Sequence, residues 1–191
     1  MRRSVSERYN SRRLTQREDL TAKLLARLDG GQLDFALIAL PYETANLLAE
    51  TLFDEPLWVV GRPDDPEIVA ASLAATPALA NRLLLLEEGH CLREHVLYAC
   101  GSLARQDAGA IEATSLLTLV QMIESGLGIG LVPAMAVSSG LIDSPTLAAR
   151  PLAEPAPKRT IALLTRRSTA RGDEFAALAE VFRAGRGTRG D

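Results

Sequence analysis

Asp34-Phe35-Ala36-Leu37-Ile38-Ala39-Leu40 is one acid followed by six apolar residues, and Pro41 ends the run. A short apolar stretch without alternation suits a β-strand covered on both faces, as in a mainly parallel sheet. Just upstream, Leu20, Lys23, Leu24, Arg27 and Leu28 follow helical spacing and Asp29-Gly30-Gly31 supplies a stop, which predicts a helix over 18–28. Leu57-Trp58-Val59-Val60 and Arg82-Leu83-Leu84-Leu85-Leu86 repeat the buried-strand pattern. Helices alternating with buried strands predict an α/β layer architecture.

Further along, Ala113-Thr114-Ser115 offers a capping hydroxyl to a helix over about 116–125, with Leu116, Leu119, Val120 and Ile123 on one face and Gly126 as its end. Gly126-Leu127-Gly128-Ile129-Gly130-Leu131-Val132-Pro133 reads as a tight turn into a buried strand. Its glycines lack the spacing and position of a dinucleotide-binding fingerprint, so they read as packing. Residues 138–158, rich in Ser, Ala and Pro, predict a connector with at most one short strand around 147–152. Thr160 to Thr165 reads as a strand, and Glu174 to Arg183 as an amphipathic helix with Phe175, Leu178, Ala179 and Phe182 inward.

The 191 residues are 47% hydrophobic and 24% charged, which fits a globular chain rather than a fibrous or disordered one. No apolar run approaches the roughly 20 residues that span a bilayer, and the Arg-rich start lacks the apolar stretch of a secretory signal, so the expected compartment is the cytoplasm and no membrane partner is expected. The formal charge of −3 hides an asymmetry: residues 1–17 hold six of the 21 basic residues and one of the 24 acids, leaving 15 and 23 beyond. A basic arm can contact nucleic acid, but without aromatic interleaving or a reading helix this one reads as a solvated, poorly ordered terminus.

Cys91 and Cys100 are the only cysteines, nine residues apart. On a helix that spacing is about 13.5 Å of rise and two and a half turns, with the thiols facing opposite ways. A disulfide tolerates a Cα separation of only about 7 Å, so bonding between them requires the segment to unwind. Oxidation would then be a conformational signal. The plain alternative is two small core hydrophobes. His90, Arg93 and His95 surround Cys91, and cations beside a thiol favour its reactive thiolate form. The suggested chemistry is asymmetric, with Cys91 as the oxidised thiol and Cys100 as the partner that condenses with its sulfenic acid. In a reducing cytoplasm the pair would be a transient or sensing one. His90, Cys91 and His95 make no convincing closed ligand set, so neither a metal nor another cofactor is expected.

The run Leu85-Leu86-Glu87-Glu88-Gly89-His90-Cys91-Leu92-Arg93, then Cys100, Ala113-Thr114-Ser115-Leu116 and Gly128-Ile129-Gly130-Leu131-Val132-Pro133-Ala134, closely resembles the regulatory domain of OxyR-like hydrogen-peroxide sensors among the LysR-type transcriptional regulators. The resemblance extends from near Arg17 through Arg183. It implies two Rossmann-like α/β subdomains joined by crossing strands, similar to type 2 periplasmic binding proteins. Residues 18–54 plus 160–191 would form subdomain I, and 55–159 subdomain II with the cysteines, after the basic arm of 1–17.

The same resemblance implies that Cys91 reacts with peroxide and that Cys100 resolves the product as a disulfide, rearranging a homodimer, with glutaredoxin or thioredoxin as reductant. His90 matches the histidine preceding the reactive cysteine. Thr21 matches a threonine that helps hold the peroxide; unaided, it reads as a helix-surface residue. Arg159 matches an arginine supporting the oxidation site; unaided, it reads as a solvated charge.

The chain departs from the family pattern at its start. A winged helix-turn-helix, a linker helix and the first strand and helix of subdomain I are expected to be missing, and Ser11 to Arg17 is more polar than a half-buried strand should be. DNA binding is therefore expected only of a full-length version. The leading expectation is a stoichiometric peroxide sensor rather than an enzyme. The alternatives are a LysR-type domain that binds a small organic effector in its cleft with incidental cysteines, and a thioredoxin-recycled peroxidase, for which the surrounding peroxiredoxin motifs are lacking.

Overall fold

The computed structural model describes residues 15–44, 46–69, 77–100, 111–154 and 156–186. Its elements are, in order, helix α1 (Thr21–Asp29), strands β1 (Phe35–Leu40) and β2 (Leu47–Gly61), helix α2 (Pro77–Ala80), strand β3 (Leu85–Leu86), helix α3 (Cys91–Cys100), strand β4 (Glu112–Ala113), helix α4 (Leu116–Glu124), strand β5 (Gly130–Pro133), helix α5 (Ala134–Ser138), strands β6 (Ala148–Pro151) and β7 (Lys158–Arg166), and helix α6 (Gly172–Arg186). The chain divides into two compact units, Met1–Asp54 with Thr160–Asp191, and Glu55–Arg159. It enters the second unit along β2 and leaves it along β7.

In the first unit β1 pairs antiparallel with β7, from Phe35 opposite Thr165 to Leu40 opposite Thr160. Alternate residues on the two strands make one face, and Ala36, Ile38, Ala162 and Leu164 cluster with Leu28 of α1 and Leu47 of β2. Phe35 stacks at a tilt on Phe175 of α6, ring centroids 5.9 Å apart. The inward face of α1 is Thr21, Leu25 and Leu28, because the helix starts at Thr21 after an extended Leu20 rather than at residue 18. Arg166 donates from Nη1 to the carbonyls of Leu28 and Leu33, at 2.7 and 2.6 Å, closing the end of α1. Val181 of α6 is buried as well, while Leu178 and Phe182 are half-buried.

The second unit holds the larger core, built from β2, β5, the leucines 83–86 and the inner faces of α3 and α4. Strand β2 pairs antiparallel with β5, Trp58 opposite Val132, and with β6, Trp58 opposite Pro151. Ser115 caps α4, its hydroxyl accepting from the Thr118 N–H at 3.1 Å, and Gly126 takes the positive φ of 79° that ends it. A Cβ on Gly128 would meet the Arg82 carbonyl oxygen at 2.7 Å, so only glycine admits the close approach of Ile129 to residues 82–84.

The mainly parallel pairing expected for these runs is not what the β1–β7, β2–β5 and β2–β6 ladders show: all three are antiparallel, while β3 with β4 and the bridge of Leu83 to Ile129 are parallel. An apolar run reports burial, whereas direction depends on which strand becomes its neighbour. For β1 that neighbour comes from the far end of the chain. Leu37 is also exposed, so β1 is not covered along both faces.

Candidate functional site

The segment 87–100 is shaped by its anchors. The Glu87 N–H donates to the Ala113 carbonyl at 3.0 Å, extending the β3–β4 ladder, and Gly89 supplies a φ of 93° that turns the chain into α3. The His90 carbonyl accepts from the Arg93 N–H at 3.0 Å, starting the helix. Leu92, Val96 and Cys100 recur every four residues and form its buried face.

The cysteines occupy the two ends of α3 and two different environments. Cys91 is half-buried in the first turn. Cys100 is 5% exposed within the core cluster, and burial raises its thiol above the ordinary value by disfavouring the charged thiolate. Helical rise separates their Cα atoms by about 13.5 Å, roughly twice the span of a disulfide. Both thiols are free.

Arg93, read from the sequence as a cation beside Cys91, is engaged elsewhere. Its Nη1 donates to the Leu86 carbonyl at 2.7 Å and to Glu112 Oε1 at 2.6 Å. The guanidinium is therefore a tie between the start of α3 and the β3–β4 ladder, its charge matched by Glu112. His90 and His95 are both half-buried.

Thr21 lies in the first unit as the first residue of α1, and Arg159 in the second near the start of β7. Neither is the surface residue that composition alone suggests. Thr21 is 5% exposed, and Leu20 before it provides no side-chain cap. Arg159 has an 11% exposed side chain and meets Glu55, itself 2% exposed, through Nε at 2.8 Å and Nη2 at 2.7 Å, both to Oε2. The other oxygen, Oε1, accepts from the Met135 N–H at 2.9 Å in the first turn of α5. Glu55 is the residue the sequence reading missed. A single acid 80 and 104 residues from its partners carries no local signal of that pairing.

Among the described residues, no group of three or more His, Cys, Asp or Glu could hold a metal ion, and no helix is long and apolar enough to cross a membrane. What the site offers chemically is two thiols with different access to solvent on one short helix, in a unit that also holds a buried carboxylate–guanidinium pair.

The family model described as LysR substrate binding domain matches residues 3–186. The HTH-type transcriptional regulator EstR of Acinetobacter baylyi is 37% identical over 167 residues, 87% of this chain and 55% of that protein. A probable hydrogen peroxide-inducible genes activator of Mycobacterium avium is 39% identical over 179 residues, 93% of this chain and 57% of that protein. The chain thus spans somewhat more than half the length of these curated relatives. The reduced OxyR regulatory domain of Pseudomonas aeruginosa superposes with a TM-score of 0.80 at 37% identity, covering 88% of this chain and 79% of that one. The chain therefore belongs to the LysR substrate binding domain family, with the mixed α/β fold of an OxyR regulatory domain.

Proposed function

We propose that this chain is the regulatory domain of an OxyR-like hydrogen-peroxide sensor and that it switches through a Cys91–Cys100 disulfide. The observation that carries the reading is the placement of the only two cysteines at opposite ends of one helix, one near solvent and one in the core. The peroxide-activator relative supports the identity of the oxidant. The Cys91 thiolate attacks one peroxide oxygen, the O–O bond breaks, and the other oxygen leaves as hydroxide and is protonated to water. The Cys100 thiol then attacks the sulfenic sulfur, the S–S bond forms, and the sulfenic oxygen departs as water.

The second step requires α3 to unwind, because an intact helix keeps the sulfurs too far apart. Withdrawing Cys100 also removes one anchor of the inner face formed with Leu92 and Val96. That is how a local oxidation would become a structural signal. On this reading His90, Thr21 and Arg159 support the peroxide site, and residues 18–54 with 160–191 and residues 55–159 act as regulatory subdomains I and II. The domain works as a cytoplasmic homodimer, reset by glutaredoxin or thioredoxin, and contacts DNA only as part of a full-length regulator. Each domain reacts once per reset, so it is a sensor and not a turnover enzyme.

Intact mass measurement tests this. Dilute peroxide should remove two hydrogens mapping to Cys91 and Cys100, with both thiols lost at the same rate. Overoxidation of Cys91 with Cys100 still reduced would overturn the disulfide.

The match to a substrate binding domain family, together with a relative whose name does not mention peroxide, favours a second reading, in which a small organic effector binds the domain and the cysteines are incidental. A thermal-shift screen of small organic molecules under reducing conditions separates the two, since stabilisation by an organic ligand with inert thiols selects the second.

A further inference from the structure

The second unit contains a deeply placed cation whose charge is already answered. Arg159 has the least exposed side chain of the ion-paired arginines among the described residues, and Glu55 is buried more completely still. One carboxylate oxygen takes both Nε and Nη2 of Arg159, and the other is fixed by the Met135 N–H. Neighbouring hydrogen bonds hold the same place in the chain: the Thr160 hydroxyl donates to Asp54 Oδ1 at 2.8 Å, one residue along from each partner.

A guanidinium with no partner at such depth would be a strong receptor for a carboxylate or another oxyanion, because its planar fork fits them and solvent screens little there. Paired with Glu55 it is net neutral. An approaching anion would meet the Glu55 charge as well as the Arg159 charge, and to take the fork it would have to displace a buried carboxylate, which strands that charge. A neutral ligand meets no such penalty and still finds the N–H groups of Arg159 that Glu55 leaves unused.

We infer that Glu55 is a specificity-determining residue: by neutralising Arg159 it makes this part of the domain select a small uncharged ligand and reject organic acids. The inference deepens the peroxide reading and rests on it for the placement of Arg159 at the ligand site. Glu55 acts through Arg159 and touches no ligand itself, so it is a positioning residue.

Acetate at constant ionic strength, followed by NMR chemical shifts, is the probe. The wild-type protein should show no saturable, Arg159-dependent shift. Glu55→Gln keeps the shape and the Met135 hydrogen bond while freeing one positive charge, and should bind acetate about tenfold more tightly or better. Adding Arg159→Gln to Glu55→Gln should abolish the gain. Acetate binding by the wild type as tight as by Glu55→Gln, and lost in Arg159→Gln, would overturn the inference, as would a folded Glu55→Gln protein that gains nothing. If Glu55→Gln does not fold, the wild type against Arg159→Gln still decides, since Arg159-dependent acetate binding in the wild type refutes rejection and its absence supports it. Peroxide consumption of the thiols is measured separately: inert thiols with the expected acetate series would sink the peroxide reading and leave the charge selection standing.

Discussion

The two ends of α3 differ in how the fold holds them, and not only in the basic residues that flank Cys91 in the sequence. At the first end Cys91 sits half-buried in a turn pinned from outside by Arg93 to Glu112 and to the Leu86 carbonyl. At the other Cys100 is packed into the core in line with Leu92 and Val96, and burial pushes its thiol above the ordinary value. The difference teaches that the asymmetry between the thiols is an asymmetry of burial. Arg93, one of the three basic residues expected to distinguish Cys91, is spent on anchoring. A helix fixed by a polar tie at one end and by apolar packing at the other can lose the second without losing the first.

The most direct way to break the comparison is Cys91→Ser. If Cys91 is the entry point for oxidant, the substitution should reduce loss of the Cys100 thiol in dilute peroxide to near zero, read by thiol titration. A Cys100 that reacts as fast as before would reverse the two roles.

Next in size is the apolar anchor. Leu92→Ala removes a buried side chain from the inner face of α3 and should cost about 2–4 kcal/mol, measured by urea unfolding of the reduced protein. The same change should hasten disulfide formation once Cys91 is oxidised, because less packing holds the helix wound. A slower disulfide would mean that unwinding is not the limiting event.

The polar anchor is weaker. Arg93→Met deletes a partly exposed ion pair and a hydrogen bond to a backbone carbonyl, with an expected loss of about 1–2 kcal/mol. With the charge already matched by Glu112, peroxide reactivity of Cys91 should change less than stability does. A fall in rate of about a hundredfold with little loss of stability would restore Arg93 as an activating cation.

The smallest effect is the pH dependence from Cys100. Its folded-state value is raised by burial, so its contribution to stability is fully present below the unfolded thiol value of about 8.5 and is lost as pH rises through the folded value. Reduced wild type should therefore lose stability across that alkaline range, and Cys100→Ala should lose less. Parallel unfolding curves for the two proteins at neutral and alkaline pH would show that Cys100 does not carry the slope.

Elements with a strong local signal were legible before folding. Ser115 ahead of an apolar period predicts α4 and its cap, and the apolar run after Gly126 predicts the buried β5. The short strand placed around 147–152 appears as β6. The first half of β2 left no such mark, since Leu48, Ala49, Thr51 and Asp54 are exposed and interrupt any buried pattern. Helix α5 is five residues long, too short for a helical period to register, and it begins where the Met135 N–H meets Glu55. Thr21 reads as a surface position until α1 is seen to start there and turn that residue inward.

By itself the sequence determined the α/β class, the positions of its apolar runs and caps, and the presence of two cysteines at a spacing that no intact helix can bridge. These are properties of neighbouring residues, governed by backbone geometry and local hydrophobic period. Tertiary structure alone decided the strand directions, the full burial of Cys100 against the half-burial of Cys91, the diversion of Arg93 to Glu112, and the pairing of Glu55 with Arg159. Each of these depends on which distant segment supplies the partner, and burial and charge pairing are set by that partner rather than by the chain nearby.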